Sequence, residues 1–338
     1  MNTLASTVEL RPLLLELAEE YCRETPEFVL DLARKGEGRE IIGSVAGRTK
    51  TEDRYVGIDK IMEDRFWGKC KEYRGKGLRI RVISEHFPEG YGDDNPNVVC
   101  DLDPFDGSDQ YRKGIREAWY SVFSFTTVDD QDLAGGCVDI LNGIMDIADP
   151  MKKEVRRTYL ATRSSPEVTS VVSPVAATEL SDDAVVASYK GKWEYLRIWF
   201  LVLFGFFGQS RFAGITHYPW GGSSIYALIA AGVVWLYIMV NEPTNEIRPG
   251  RSFVAATDLY VSSVVEGGIL RYIRWSQKRR VPFFIAAANE QLARSVVGGI
   301  WSTRDEDQDR RGFTARVKRK VSNAFSRPRI GRLFLVSR

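Results

Sequence analysis

Apolar residues recur at helical spacing near the start of the chain, where Leu10, Leu13, Leu14, Leu17, Ala18 and Tyr21 share one face. The pattern predicts an amphipathic helix over 4–33, with Pro26 as a point of interruption or restart. A loop rich in Gly and charge follows to about residue 55. Asp59 then occupies an N-cap position ahead of KIMEDRFWGKCKEY, a second amphipathic segment. From Leu78 the pattern turns strand-like. LRIRVIS, NVVCDLD, AWYSVFSFTTV and CVDILNGIMDIAD read as strands, the last two separated by the turn-forming DDQDLAGG. Two helices followed by successive strands predict an α+β first domain with a largely antiparallel sheet.

The segment 164–183, rich in Ser, Thr, Pro and Asp, reads as the boundary. Beyond it strand and helix alternate. AVVASYK, VVWLYIMV and PFFIAAA read as strands, while WEYLRIWFLVLF, SSIYALIAAG and NEQLARSVVGGIW read as helices. The expected organisation is an N-terminal α+β domain over 1–163 and a C-terminal α/β domain over 164–302, with helices on both sheet faces. A basic, flexible tail follows over 303–338.

Charge sharpens that division. Residues 310–338 carry ten Lys or Arg and no acid, so a net charge of +2 leaves about −8 on the rest. Such a tail suits contact with an anionic membrane surface, and no nucleic-acid partner is expected. Cys22, Cys70, Cys100 and Cys137 lie far apart without metal-type spacing, and no signal peptide is visible at the N-terminus. Reduced thiols and a cytoplasmic location are expected. The apolar runs 198–207 and 225–240 fall short of the roughly 20 residues a spanning helix needs. The second changes after Gly232 from helix-tolerant to β-branched and aromatic residues, predicting a buried helix and then a buried strand.

The chemistry concentrates in DLDPFDGSD (101–109), which holds four carboxylates in nine positions. Like charges so close suppress one another's ionisation unless a cation neutralises them. An EF-hand loop is excluded, because counting from Asp101 puts Phe105 at position 5 and Arg112 at position 12. Pro104 and Gly107 instead predict a tight turn after a strand, aiming Asp103 and Asp106 at one point. Glu85 ends an earlier strand, and Asp53, Asp59 and Glu63 surround the start of the second helix. Hard oxygen donors of this kind suit Mg²⁺. His86 and His217 are the chain's two histidines and are read as structural.

VVCDLDPFDGSDQY resembles the signature of the inositol monophosphatase family, DPxDGT followed by a polar residue and an aromatic. ISEH is similar to the family's upstream GEE or SEE element, and DRYVGIDKIMED to its DxVTxxDxxxE segment. GGSSIYALIAAG is similar to its GSxAxxxxxVAxG helix. The resemblance covers roughly 5–300 and is strongest between 50 and 150. It implies a two-domain layered α/β/α/β/α sandwich and a Mg²⁺-dependent phosphomonoesterase, the substrate being a small polyol or sugar phosphate. Inositol monophosphate and fructose 1,6-bisphosphate represent the class.

Carried over residue by residue, the resemblance implies metal ligation by Glu85, Asp103, the Phe105 carbonyl and Asp106. Gly107 and Ser108 would hold the phosphate, with Gly222 and Ser223 on the substrate side. Asp59 would orient the hydroxyl partner of the attacking water or the hydration shell of a third metal, and Glu85, Asp59 and Asp103 make up the catalytic set. Three positions depart from the family pattern. His86 replaces a second Glu, Val56 replaces a Thr, and the WDxAAG element is missing. NEPTNEIRPG (241–250) takes its place, offering Glu246 as the substitute acid, with Glu242 the alternative. Loss of that Asp leaves open a catalytically impaired relative that binds a phosphorylated metabolite or an anionic membrane. A homodimer is a further expectation from the family.

Overall fold

Helix α1 (Thr3–Lys35) runs unbroken through Pro12 and Pro26, so Pro26 does not restart it. Packing outweighs the missing amide. Leu14, Leu17, Ala18, Tyr21, Cys22 and Val29 are fully buried along one face, and the Thr25 hydroxyl donates to the Tyr21 carbonyl at 2.6 Å. The structure is a computed structural model and describes residues 3–44, 54–162, 164–189, 214–265, 269–272 and 280–306. Asp53, the apolar run 198–207 and the basic stretch 310–338 lie outside the described residues.

The described chain separates into two units. The first joins Met1–Pro174 to Gly222–Val233 and Thr244–Leu259, and the second takes Val175–Gly221, Val234–Pro243 and Tyr260–Arg338. The sequence reading instead divides the two domains at 163/164, as continuous stretches. The difference arises because short helical segments from the later half bury their apolar faces against the first sheet. Helix Arg251–Thr257 is anchored there by Ser252, whose hydroxyl donates to the Ala134 carbonyl at 2.7 Å.

In the first unit a hairpin of β1 (Ile41–Ser44) and β2 (Arg54–Val56) precedes α2 (Gly57–Arg74). The main sheet follows, built from β3 (Ile80–Ser84), β4 (Tyr91–Gly92), β5 (Val98–Asp106), β6 (Tyr120–Thr127), β7 (Asp132–Asp139), β8 (Ile144–Asp149), β9 (Glu154–Tyr159) and β10 (Val168–Val172). Their order is β10-β9-β8-β7-β6-β5-β3-β4, antiparallel except for the parallel pair β3–β5. That parallel pair brings the C-terminal ends of β3 and β5 side by side, with Ser84 opposite Leu102. Strand β10 lies within the segment read as a boundary. It is mostly exposed, and the hydroxyls of Thr158 and Thr169 meet at 2.9 Å across its pairing with β9. The core gathers Tyr21, Phe66, Phe123 and Phe125 in edge and tilted contacts between α1, α2 and the sheet.

The second unit carries a mixed sheet. Strands β11 (Val185–Ala187), β12 (Thr216–Tyr218), β13 (Leu236–Pro243), β14 (Tyr260–Val265), β15 (Ile269–Tyr272) and β16 (Arg280–Ala287) run in the order β12-β11-β13-β16-β14-β15. Only the β11 pairings with β12 and β13 are parallel, so simple α/β alternation does not hold there. Ile225–Ala230 is helix and Leu236–Pro243 strand, the change of character expected after Gly232. All four cysteines are free and buried. Among the described residues no helix is long and apolar enough to cross a membrane.

Candidate active site

The DPFD stretch is a bulged strand end rather than a turn. Asp103 pairs with Val122 and Asp106 with Tyr120, so β5 carries one residue more than β6 between them. A bulge tolerates Pro104, which has no amide to donate, and re-aims the side chains beside it. Phe105 is buried against Tyr111 and Trp119. Gly107 then turns the chain with φ +107°, and helix α3 (Ser108–Lys113) begins at once, with Ser108 partly exposed. A Cβ at Gly107 would strike the Ala118 carbonyl oxygen, so the position accepts glycine on both conformational and steric grounds.

Two adjacent serines sit beside the aspartates, and one of them holds Asp106. Ser224 donates to Asp106 Oδ2 from its hydroxyl at 2.8 Å and from its amide at 3.4 Å. Ser223 Oγ donates to the Glu246 carbonyl at 2.8 Å, and its nearness to Asp103 lowers the proton affinity of that acid. Gly222, at φ +106°, lets the backbone pass close to Asp106. A Cβ there would lie 2.8 Å from Oδ2. Ser224 was missed in the sequence reading, although the doubled serine of GGSS was its visible signal.

The carboxylates act on one another. Burial raises the proton affinity of Asp103 well above the ordinary range, and the charges of Asp106, Glu85 and Glu246 add to it. Asp106 is pushed up to about 7 by burial, against the Ser224 hydrogen bonds, with Glu246 and Glu85 adding. Four acids from separate stretches of one unit, Glu85, Asp103, Asp106 and Glu246, thus act on one another electrostatically.

Asp59 is the third residue inside α2 rather than its cap. The Val56 amide donates to Asp59 Oδ2 at 2.9 Å, the reach of an N3 carboxylate to the N-cap backbone. Asp59 is buried, and burial raises its proton affinity well above the ordinary range, His86 opposing and Glu85 adding. One helical turn later Glu63, also buried, accepts from Ser84 Oγ at 2.5 Å and Tyr55 OH at 2.9 Å. Ser84 Oγ also accepts the Phe87 amide at 3.2 Å, fixing the turn that presents Glu85 and His86. Burial lowers the His86 proton affinity, but Glu63, Glu85 and Asp59 outweigh it and the balance is upward.

Arg248 reaches back to β5. Its Nη2 reaches Asp101 Oδ1 at 3.0 Å, and the Asp101 side chain is 4% exposed. Burial raises the proton affinity of Asp101, while Arg248 and Arg251 pull it down without cancelling the rise. Beside this pair Ser124 Oγ donates to the Pro249 carbonyl at 2.6 Å and accepts the Ser252 amide at 3.0 Å. Arg251 Nε reaches Asp132 at 2.8 Å, and its guanidinium also binds Asp130. The segment carrying Glu246 is therefore pinned to β5, β6 and the turn before β7.

By donor type Glu85, Asp103, Asp106 and Glu246, with the Phe105 carbonyl, are hard oxygens of the kind a divalent cation takes. Among the described residues, no three or more His, Cys, Asp or Glu side chains are drawn together closely enough to hold an ion as placed.

No protein-family model and no curated protein matches the sequence. Solved structures do match in fold. The extragenic suppressor protein suhB from Bartonella henselae superposes with a TM-score of 0.62 at 14% identity, covering 85% of this chain and 98% of that one. An inositol monophosphatase, SaIMPase-II with inositol monophosphate bound, gives 0.58 at 14% identity over 87% and 96%. An IMPase/NADP phosphatase complexed with NADP and Ca²⁺ gives 0.57 at 13% identity over 85% and 95%. With its mixed α+β architecture, the chain has the fold of the inositol monophosphatases.

Proposed function

We propose that the chain is a metal-dependent phosphomonoesterase of the inositol monophosphatase type, acting on a small polyol or sugar phosphate. The observation that carries this reading is the common field of Glu85, Asp103, Asp106 and Glu246 on that fold. Glu85, Asp103, the Phe105 carbonyl, Asp106 and Glu246 would hold the cation, and an all-oxygen set favours Mg²⁺. When bound, such an ion supplies a nucleophilic water near neutral pH and stabilises the leaving oxygen.

The chain's own groups bind and orient. Ser224 fixes Asp106 and Ser223 fixes the Glu246 backbone, so that the acids stay aimed while charge accumulates. The Gly107 and Ser108 amides and the Ser108 hydroxyl receive the phosphate group. Gly222 keeps the substrate side open close to Asp106. Asp59 orients the hydroxyl partner of the attacking water. Neighbours of this fold hold inositol monophosphate in one case and NADP with Ca²⁺ in another, which supports a phosphorylated small molecule as ligand.

Calorimetry tests the reading through linkage. Millimolar Mg²⁺ and inorganic phosphate together should raise the melting temperature more than either alone, since each binds the folded state. Asp103→Asn should abolish the Mg²⁺ effect, and Glu246→Gln should weaken it. A melting temperature that ignores both additives would sink the proposal.

A further inference from the structure

Arg248 stands two residues after Glu246, where the WDxAAG pattern has its first Ala. Its Nη2 lies 3.0 Å from Asp101 Oδ1, and the two side chains are 20% and 4% exposed. Strand β5 keeps regular register with β6 from Asp101 through Asp103, so these two aspartates share one face of the strand. Glu246 is held at its own backbone as well, because its carbonyl accepts the Ser223 hydroxyl at 2.8 Å. The acid is thus bracketed by two anchors, one of them on the strand that carries Asp103. The pair is also incomplete. Arg248 Nε and Asp101 Oδ2 are both buried and without a hydrogen-bond partner. A guanidinium and a carboxylate paired for stability alone would use both arms, and each idle buried atom costs free energy. The path of the Glu246 segment, rather than the strength of the pair, sets where the guanidinium sits.

We propose that Arg248 is the positioning residue of the Glu246 carboxylate, fixing it through Asp101 relative to Asp103. The inference rests on the reading of Glu246 and Asp103 as cation ligands, and it names the contact that holds the acid in a run where Ala-Ala-Gly has become Arg-Pro-Gly. Arg248 touches neither cation nor substrate in this role; it acts on the acid two residues before it. Partners that orient a ligand from behind are worth about 10–100-fold in metal affinity. Because the pair is a single N–O contact, one cationic donor suffices, and lysine should serve where methionine does not.

The test is Mn²⁺ binding to the full chain, read as loss of the free-ion electron paramagnetic resonance signal, beside melting without metal. Arg248→Met should weaken binding at least about tenfold, and Arg248→Lys should retain most of it. Asp101→Asn with Arg248→Met removes the stranded charge, so its metal-free melting temperature should return close to wild type while its affinity stays low. That split is what a merely structural pair would not give. Affinity that recovers with stability in the double variant, or that is unchanged in Arg248→Met, overturns the positioning role and leaves the phosphatase reading intact. Should Arg248→Met fail to fold, the double and lysine variants carry the comparison. Wild-type binding that ignores Glu246→Gln also overturns it, since there is then no ligand to position. A wild type that binds no Mn²⁺ overturns both readings.

Discussion

Replacing Arg248 with Met tests what fastens the Glu246 segment to the sheet. The substitution keeps much of the aliphatic stem but leaves Asp101, 4% exposed, without its 3.0 Å cation. Removing one partner of a buried pair costs about 3–5 kcal/mol. Arg248 is itself 20% exposed and Arg251 still pulls on Asp101, so the cost falls just below that range, about 2–3 kcal/mol. In a chain of 338 residues that lowers the melting temperature by roughly 3–4 °C. The pH dependence identifies the cause. Asp101 already binds its proton more tightly folded than unfolded, and losing Arg248 strengthens that preference. An acid raised in the folded state stabilises less as pH rises from its unfolded value through its folded one. The deficit should therefore be small near pH 5 and largest near pH 8. Asp101→Asn combined with Arg248→Met removes the stranded charge and should recover most of the loss. Calorimetry of the two variants across that range decides. A single variant as stable as wild type at pH 8, or a double variant no better than the single, refutes the argument.

Three further outcomes follow from the same geometry. Gly107→Ala should cost about 2–4 kcal/mol, combining left-handed strain with the Ala118 collision, and an unchanged melting temperature would count against the bulged strand end. Without metal, the raised proton affinities of Asp103 and Asp106, the latter to about 7, make stability fall as pH climbs from the ordinary carboxylate range to neutrality. Melting in EDTA at pH 5.5 and 8 should show the slope in wild type and a weaker one in Asp106→Asn; equal slopes would contradict the shared field. Ser124→Ala should cost about 1–3 kcal/mol by stranding the Pro249 carbonyl and Ser252 amide, and should weaken metal binding. Denaturant midpoints and metal titration check both, and unaltered values in the two would contradict it.

Much of the site was legible because it is written in short contiguous runs. DPFDGS and SEH sit at ends of strands that alternate strongly enough to be read, and the parallel β3–β5 pairing makes those ends neighbours. Strand β13 and the helix before it showed in the shift from small residues to β-branched and aromatic ones. What failed was set by partners far off in sequence. Pro26 breaks an isolated helix, but α1 is held by its buried face. The bulge at Asp103–Asp106 depends on its register with β6, and β10 on an edge offered by β9. The Arg248–Asp101 pair spans the length of the chain between them, and neither residue alone announces it.

The most direct measurement is inorganic phosphate released from a panel of inositol and sugar phosphates, with and without Mg²⁺ or Mn²⁺. The predicted result is release that requires the cation and disappears in Asp103→Asn. Metal binding with no release from any member of the panel would contradict the phosphatase assignment and leave a binding protein on the same fold.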